Sequence, residues 1–157
     1  MNQKIIKIAV SILGCLSVGI IGALFTSPAI PTWYSSLNKP FFNPPSWVFG
    51  PTWTILYIMM GISLCIIWIK KSKSNTKQNA LSIFFAQLIL NGIWSPIFFA
   101  FQSPFLALIV ITLLWATIMI NIILFYKISK TAATLLMPYL LWVSFATILN
   151  FSIWWLN

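Results

Sequence analysis

Five apolar stretches, each close to the length needed to cross a bilayer, constrain this chain more than any other feature. They cover residues 5–25, 47–69, 81–101, 105–126 and 135–155. A helix needs roughly 20 residues to span the hydrocarbon, and helices satisfy their own backbone polar groups there. The expected fold is therefore all-α: a single integral membrane domain over residues 1–157, built as a five-transmembrane-helix bundle. The 61% hydrophobic content leaves no room for a separate soluble domain. The first stretch follows a basic N-terminus, as a secretory leader would. Its apolar run continues past Cys15 to Phe25, so we read it as a span.

Charge sorts by membrane side. The chain has nine Lys or Arg residues, all of them Lys, and no Asp, Glu or His. With five crossings, Lys4, Lys7, Lys70, Lys71, Lys73, Lys77, Lys127 and Lys130 fall on one side, and Lys39 alone falls on the other. In a bacterial cell membrane, the location we favour, this predicts an N-terminus inside, with the first loop and the C-terminus outside. The lysines form no single basic face, so nucleic acid is not an expected partner. The expected surroundings are the lipid bilayer, and a homodimer is a partner state to test.

The connections differ. Loop two, 70–80, is polar and lysine-rich. Loop three, 102–104, and a turn near 127–134 are short, which implies antiparallel neighbours. Loop one, 26–46, is long and aromatic. The stretch WYSSLNKPFFNPPSWVFGPTW, 33–53, runs through it into the second span. Loops of this length inside compact domains are commonly functional. Thr32 is a candidate cap for a short turn that places Trp33 and Leu37 on one face and stops before Pro40. Asn43-Pro44-Pro45 predicts a stiff extended piece. Ser46 is a candidate cap for the second span, or Gly50-Pro51 its start. The loop reads as a lid. Lys39 within it is a candidate helix-end cap or a contact for an acidic ligand group.

The missing residue types narrow the chemistry. Without carboxylates or histidine there is no acid–base pair, catalytic triad or metal set. Proton-coupled transport is poorly supported for the same reason. Cys15 and Cys65 fall within spans and read as small buried hydrophobes. In the first span Ser11, Cys15, Gly19 and Ala23 recur every four residues, a stripe expected to serve close packing within the chain. In the third span Gln87, Asn91 and Ser95 share one face flanked by Trp94, with Pro96 expected to kink the helix. In the fifth, Pro138, Trp142, Phe145, Ala146 and Leu149 form a second face beside Asn150. The plainer account is a paired inter-helix network with aromatic filling. The sharper one is a pocket for a flat apolar ligand, with Asn91 as its polar handle.

The motifs Trp33-Tyr34-x-x-Leu37-x-Lys39-Pro40, Asn43-Pro44-Pro45-x-Trp47-Val48-Phe49 and Trp53-Thr54-x-Leu56-Tyr57 follow one another in order. Gln87-Leu88-x-x-Asn91-x-x-Trp94 and Pro138-Tyr139-Leu140-x-Trp142-x-x-Phe145-Ala146-x-x-Leu149-Asn150 come later. Together they resemble the TspO family, also called the translocator protein or peripheral-type benzodiazepine receptor family. The resemblance implies a membrane receptor with a pocket between the helices, closed by loop one. It implies porphyrins (protoporphyrin IX, haem) and benzodiazepine-site ligands as partners, with no required cofactor and the porphyrin as ligand or substrate. Carried onto this chain, the pocket is lined by Tyr34, Leu37, Trp53, Tyr57, Asn91, Trp94, Trp142, Phe145, Ala146 and Leu149. Some bacterial relatives degrade protoporphyrin in light, which implies Trp53 and Trp142 as catalytic only if the chemistry is photochemical. A carrier of tetrapyrroles, lipids or sterols is the alternative. The animal sterol motif has no counterpart at 149–155, where no basic residue occurs, and 124–130 offers only a loose match.

Overall fold

The structure, a computed structural model, describes residues 3–71 and 75–157. Five helices carry the fold: α1 (Gln3–Ala29), α2 (Phe49–Ile69), α3 (Asn75–Ser95), α4 (Pro104–Ile128) and α5 (Lys130–Leu156). With their flanking helical turns, all five are long and apolar enough to cross a membrane. They form a closed ring in the order α1–α2–α5–α4–α3, each packed on its two neighbours. The lysine-rich part of loop two that includes Ser72, Lys73 and Ser74 lies outside the described residues.

Several expected boundaries move, among them the start of the third helix, which begins at Asn75 inside the expected second loop and not at 81. The first helix does not stop at Phe25. It continues through Ala29 into a π turn, Ile30–Tyr34, and on to residue 36. Thr32 is therefore not a cap; its hydroxyl donates to the Pro28 carbonyl at 2.9 Å, inside the helix. The wider π geometry accommodates Pro28 and Pro31, whose missing N–H groups would break a regular α-helix. The irregular lid is thus shorter than expected, 37–45. Ser46 opens a 3-10 turn, Ser46–Val48, without a side-chain capping bond, and Pro51 sits in the first turn of α2, where its lack of an N–H costs nothing. The fourth connection shrinks to one residue. Ser129 donates its N–H to the Phe125 carbonyl at 2.7 Å, ending α4, and its side chain accepts from Ala132 to start α5.

Pro96 acts as expected on α3. The helix loses the bond to the Gly92 carbonyl and widens into a second π turn, Pro96–Ala100, closed by the Phe101 N–H on the Pro96 carbonyl at 2.9 Å. Gln102, at φ 52°, reverses the chain, and Ser103 caps α4 by accepting from Leu106.

Small residues set how closely the helices approach. A Cβ on Gly61 of α2 would lie 2.5 Å from the Ile12 Cα of α1, and one on Gly19 would lie 2.4 Å from the Tyr57 ring. The four-residue stripe on α1 holds only in part. Ser11 and Cys15 are buried and Gly19 meets Tyr57, but Ala23 is exposed and Gly22 takes its place against Ser95. A step of four residues drifts by about 40° per turn at 3.6 residues per turn, so the stripe rotates off the contact face. Cys15 and Cys65 are buried and unpaired.

Polar ties cross between helices at the lysine-rich end. The Asn121 amide donates to the Ala80 carbonyl at 2.8 Å and the Ser63 hydroxyl to the Ala132 carbonyl at 2.7 Å. Phe84 stacks on Phe125 with centroids 5.9 Å apart, filling this end.

Gly61→Ala should destabilise the bundle by about 1–3 kcal/mol, because its new methyl meets the backbone of α1. Gly50→Ala, whose Cβ meets nothing within 4 Å, should be close to neutral. Thermal unfolding of both variants in detergent, followed by circular dichroism, checks the contrast.

Candidate functional site

The two ends of the bundle are packed differently. At the lysine-rich end apolar side chains fill the centre. Toward the lid they leave a cavity of about 450 Å³ bounded by all five helices. α2 supplies Trp53 and Tyr57, α3 supplies Asn91 and Trp94, and α5 supplies Trp142, Ala146 and Leu149. Tyr34, from the π turn after α1, also lines it.

Leu37 and Phe145 stand outside this wall. Leu37, the first residue of the lid, packs into the aromatic cluster around Tyr34 and Phe98. Phe145 backs the wall: its ring lies 5.5 Å from that of Trp142 and 6.2 Å from that of Phe42 in the lid.

Aromatic contacts hold the wall in shape. Trp53 stacks on Tyr57 at 5.6 Å and meets Tyr139 edge-on at 6.2 Å. Trp94 stacks on Phe98 at 5.3 Å, which Pro96 and its π turn bring around to face it. Trp142 meets Phe49 edge-on at 6.0 Å. Such pairs hold their rings in defined orientations beyond simple area burial.

Most polar groups in the wall are already paired. Trp94 Nε1 donates to Asn150 Oδ1 at 3.1 Å, and Asn150 Nδ2 donates to the Pro104 carbonyl at 2.8 Å. The Thr26 and Ser95 hydroxyls lie 2.6 Å apart, and Ser95 donates to the Gly22 carbonyl at 2.9 Å. The Tyr57 hydroxyl donates to Asn91 Oδ1. The Trp142 indole N–H is buried without a partner. No lining residue is charged. The arrangement can hold a flat apolar body by ring contact, with a few hydrogen-bonding groups to orient it. It contains no acid–base pair.

The lid is tied at two levels. The Tyr34 hydroxyl donates to Asn43 Oδ1 at 2.7 Å, folding the loop onto its own helix. Lys39 resolves as a helix-end cap: its Nζ donates to the carbonyls of Leu37 at 2.8 Å and Ser35 at 3.2 Å, and lies 5.1 Å from the centre of the Tyr34 ring. Across the molecule, the Asn38 N–H donates to Asn157 Oδ1 and Asn157 Nδ2 donates to the Asn38 carbonyl, both at 3.1 Å.

The wall on α1 was not expected from sequence. Leu16, Gly19, Ile20, Gly22, Ala23 and Thr26 all face the cavity. The run of small residues, Gly19, Gly22 and Ala23, was the available signal, since it keeps this face of α1 low and lets Tyr57 and Ser95 approach it.

The TspO/MBR family model matches residues 11–156 of this chain. The chain belongs to the TspO/MBR family. It is 45% identical over 157 residues to the tryptophan-rich protein TspO of Chlorobaculum tepidum, covering 100% of this chain and 99% of that one. It is 44% identical over 155 residues to the protein of the same name from Archaeoglobus fulgidus, covering 99% of each. The human translocator protein is 36% identical over 143 residues, covering 90% of this chain and 82% of its own. Family membership and the five apolar helices make this a multi-pass membrane protein.

Asn157→Ala should loosen the lid. Hydrogen bonds of this kind contribute about 1 kcal/mol each, so the Asn38 amide should exchange about tenfold faster with solvent hydrogen. Hydrogen–deuterium exchange of the detergent-solubilised variant measures this.

Proposed function

We propose that this TspO/MBR protein is a membrane receptor for flat, largely apolar ligands of the porphyrin type, protoporphyrin IX and haem among them. Ligands of the benzodiazepine-site type would use the same cavity. The observation that carries the reading is the uncharged cavity of about 450 Å³ walled by Trp53, Tyr57, Trp94 and Trp142. Ring faces on several sides suit a planar ligand, and the paired polar groups cost little to cover. No resident cofactor is needed for binding. We place the protein in a bacterial cell membrane, where the lysine distribution supports an N-terminus inside and a lid outside.

A photochemical step fits the same cavity. An excited porphyrin would supply the reactivity, with dioxygen as the oxidant. Trp53 and Trp142 would supply orientation and nearby oxidisable rings. The relatives named translocator protein favour a second reading, a carrier of tetrapyrroles or lipids. The exposed part of the wall, Ile20, Trp47 and Thr54, would give a ligand a route toward the bilayer.

Protoporphyrin IX should quench the tryptophan fluorescence of the purified protein saturably, with about tenfold weaker binding in the Trp53→Phe, Trp142→Phe double variant. Non-saturable quenching, or equal affinity in the double variant, would reject the receptor reading. Illumination in air distinguishes binding from turnover, since only turnover gives protein-dependent pigment loss. In liposomes, saturable binding without faster transbilayer movement rejects the carrier.

A further inference from the structure

Four buried side chains form a hydrogen-bonded chain that starts in the cavity wall and ends outside it. The Tyr57 hydroxyl donates to Asn91 Oδ1. Asn91 Nδ2 donates to the Tyr139 hydroxyl at 2.9 Å, and that hydroxyl donates to Gln87 Oε1 at 2.8 Å. Tyr57 and Asn91 line the cavity, whereas Tyr139 and Gln87 are 0% and 1% exposed and do not. Every donor points away from the cavity. The far end is incomplete, because Gln87 Nε2 is buried with no partner.

Each link can be reversed in place. A phenol hydroxyl both donates and accepts, and a half-turn of a carboxamide exchanges its oxygen and nitrogen. In the reversed chain Gln87 Nε2 donates to Tyr139, Tyr139 donates to Asn91 Oδ1, and Asn91 Nδ2 donates to the Tyr57 oxygen. The unpaired group at the far end is then Gln87 Oε1. An unpaired buried carbonyl is more readily tolerated than an unpaired buried N–H. Reversal also turns the Tyr57 O–H out of the chain, and that opposes it. Asn91 accepts from this hydroxyl, and the neighbouring Trp53 ring offers no oxygen or nitrogen acceptor in its place. A ligand that brings an acceptor to Tyr57 removes the obstacle.

We infer that Tyr57, Asn91, Tyr139 and Gln87 form a reversible relay through which Gln87, a positioning residue, sets the cavity's preference for ligands bearing a hydrogen-bond acceptor. This rests on the reading of the cavity as a ligand site. It adds a selectivity rule: a carbonyl or unprotonated ring nitrogen at the depth of Tyr57 is favoured over a plain hydrocarbon edge.

Gln87→Met tests the relay. It keeps the length of the side chain and removes the amide. The Tyr139 hydroxyl then keeps Asn91 alone and is best satisfied by donating to it, which leaves the chain reversed and the Tyr57 O–H free for a ligand. The probes are fluorenone, which carries a carbonyl, and fluorene, which has the same tricyclic frame without one. Calorimetry in lipid nanodiscs should show fluorenone binding about fivefold tighter to Gln87→Met than to the natural chain, with fluorene unchanged. The gain should vanish in a Tyr139→Phe background, because Gln87 acts only through that hydroxyl. Equal shifts of the two probes, or a gain that persists without the Tyr139 hydroxyl, would overturn the relay. Failure of both probes to bind would count against the proposed function instead. Ultraviolet resonance Raman of the ligand-free protein still decides the relay in that case. The Tyr57 ring doublet, isolated by subtraction of Tyr57→Phe spectra, should change from a donating to an accepting phenol in Gln87→Met. An unchanged doublet would overturn it.

Discussion

The structure depends on one constraint: inside hydrocarbon, a polar group must find its partner within the protein. Each buried amide or hydroxyl that reaches a neighbouring helix therefore acts as a tie with a defined position. Asn121 joins α4 to α3, Ser63 joins α2 to α5, and Asn150 joins α5 to Trp94 on α3 and to the start of α4. Asn91 lies at the middle of the bundle and links α3 to α2 and α5 together. Apolar packing against lipid-like neighbours gives little directional preference, so these few bonds carry much of the register between helices.

The cavity follows from the same packing. Small residues on α1 and α2 let the two helices touch through Gly61 and Gly19, and Gly22 lets Ser95 of α3 approach α1; Gly19, Gly22 and Ala23 all lie along the cavity wall. Large rings on α2, α3 and α5 hold the other sides apart. Two proline-linked π turns complete the geometry. One carries α1 up to the lid, and the other brings Phe98 against Trp94. The site therefore combines bulky ring faces on α2, α3 and α5 with a low, small-residue face on α1. The lid adds an attachment to α5 at Asn157, on the helix that presents Trp142 and Leu149 to the cavity.

The third-helix face was legible because Gln87, Asn91 and Ser95 are polar residues at helical spacing in an apolar run, and lipid has no place for them. All three are buried. The kink at Pro96 was legible for a similarly local reason, whereas sequence left Lys39 open between a helix-end cap and a ligand contact and the structure resolves it as a cap. The resemblance implied Leu37 and Phe145 as wall residues, but Leu37 packs around Tyr34 and Phe98 and Phe145 lies against Trp142, and neither lines the cavity. Thr32 and Ser46 are good capping residues by type, yet the chain at Thr32 stays helical through a π turn and Ser46 begins a 3-10 turn. The turn near 127–134 closed to the single residue Ser129, since one serine can end α4 and start α5 at once.

Sequence alone determined the number of helices, their apolar character, the sorting of lysines and the family motifs. These depend on residue type and local spacing, which a bilayer reads directly. Tertiary structure decided the ring order α1–α2–α5–α4–α3, the contribution of α1 to the cavity, and the pairing of Asn38 with Asn157. It also decided the direction of the chain from Tyr57 to Gln87. Those features join residues far apart in the chain, and which polar group finds which partner is settled only when the helices meet.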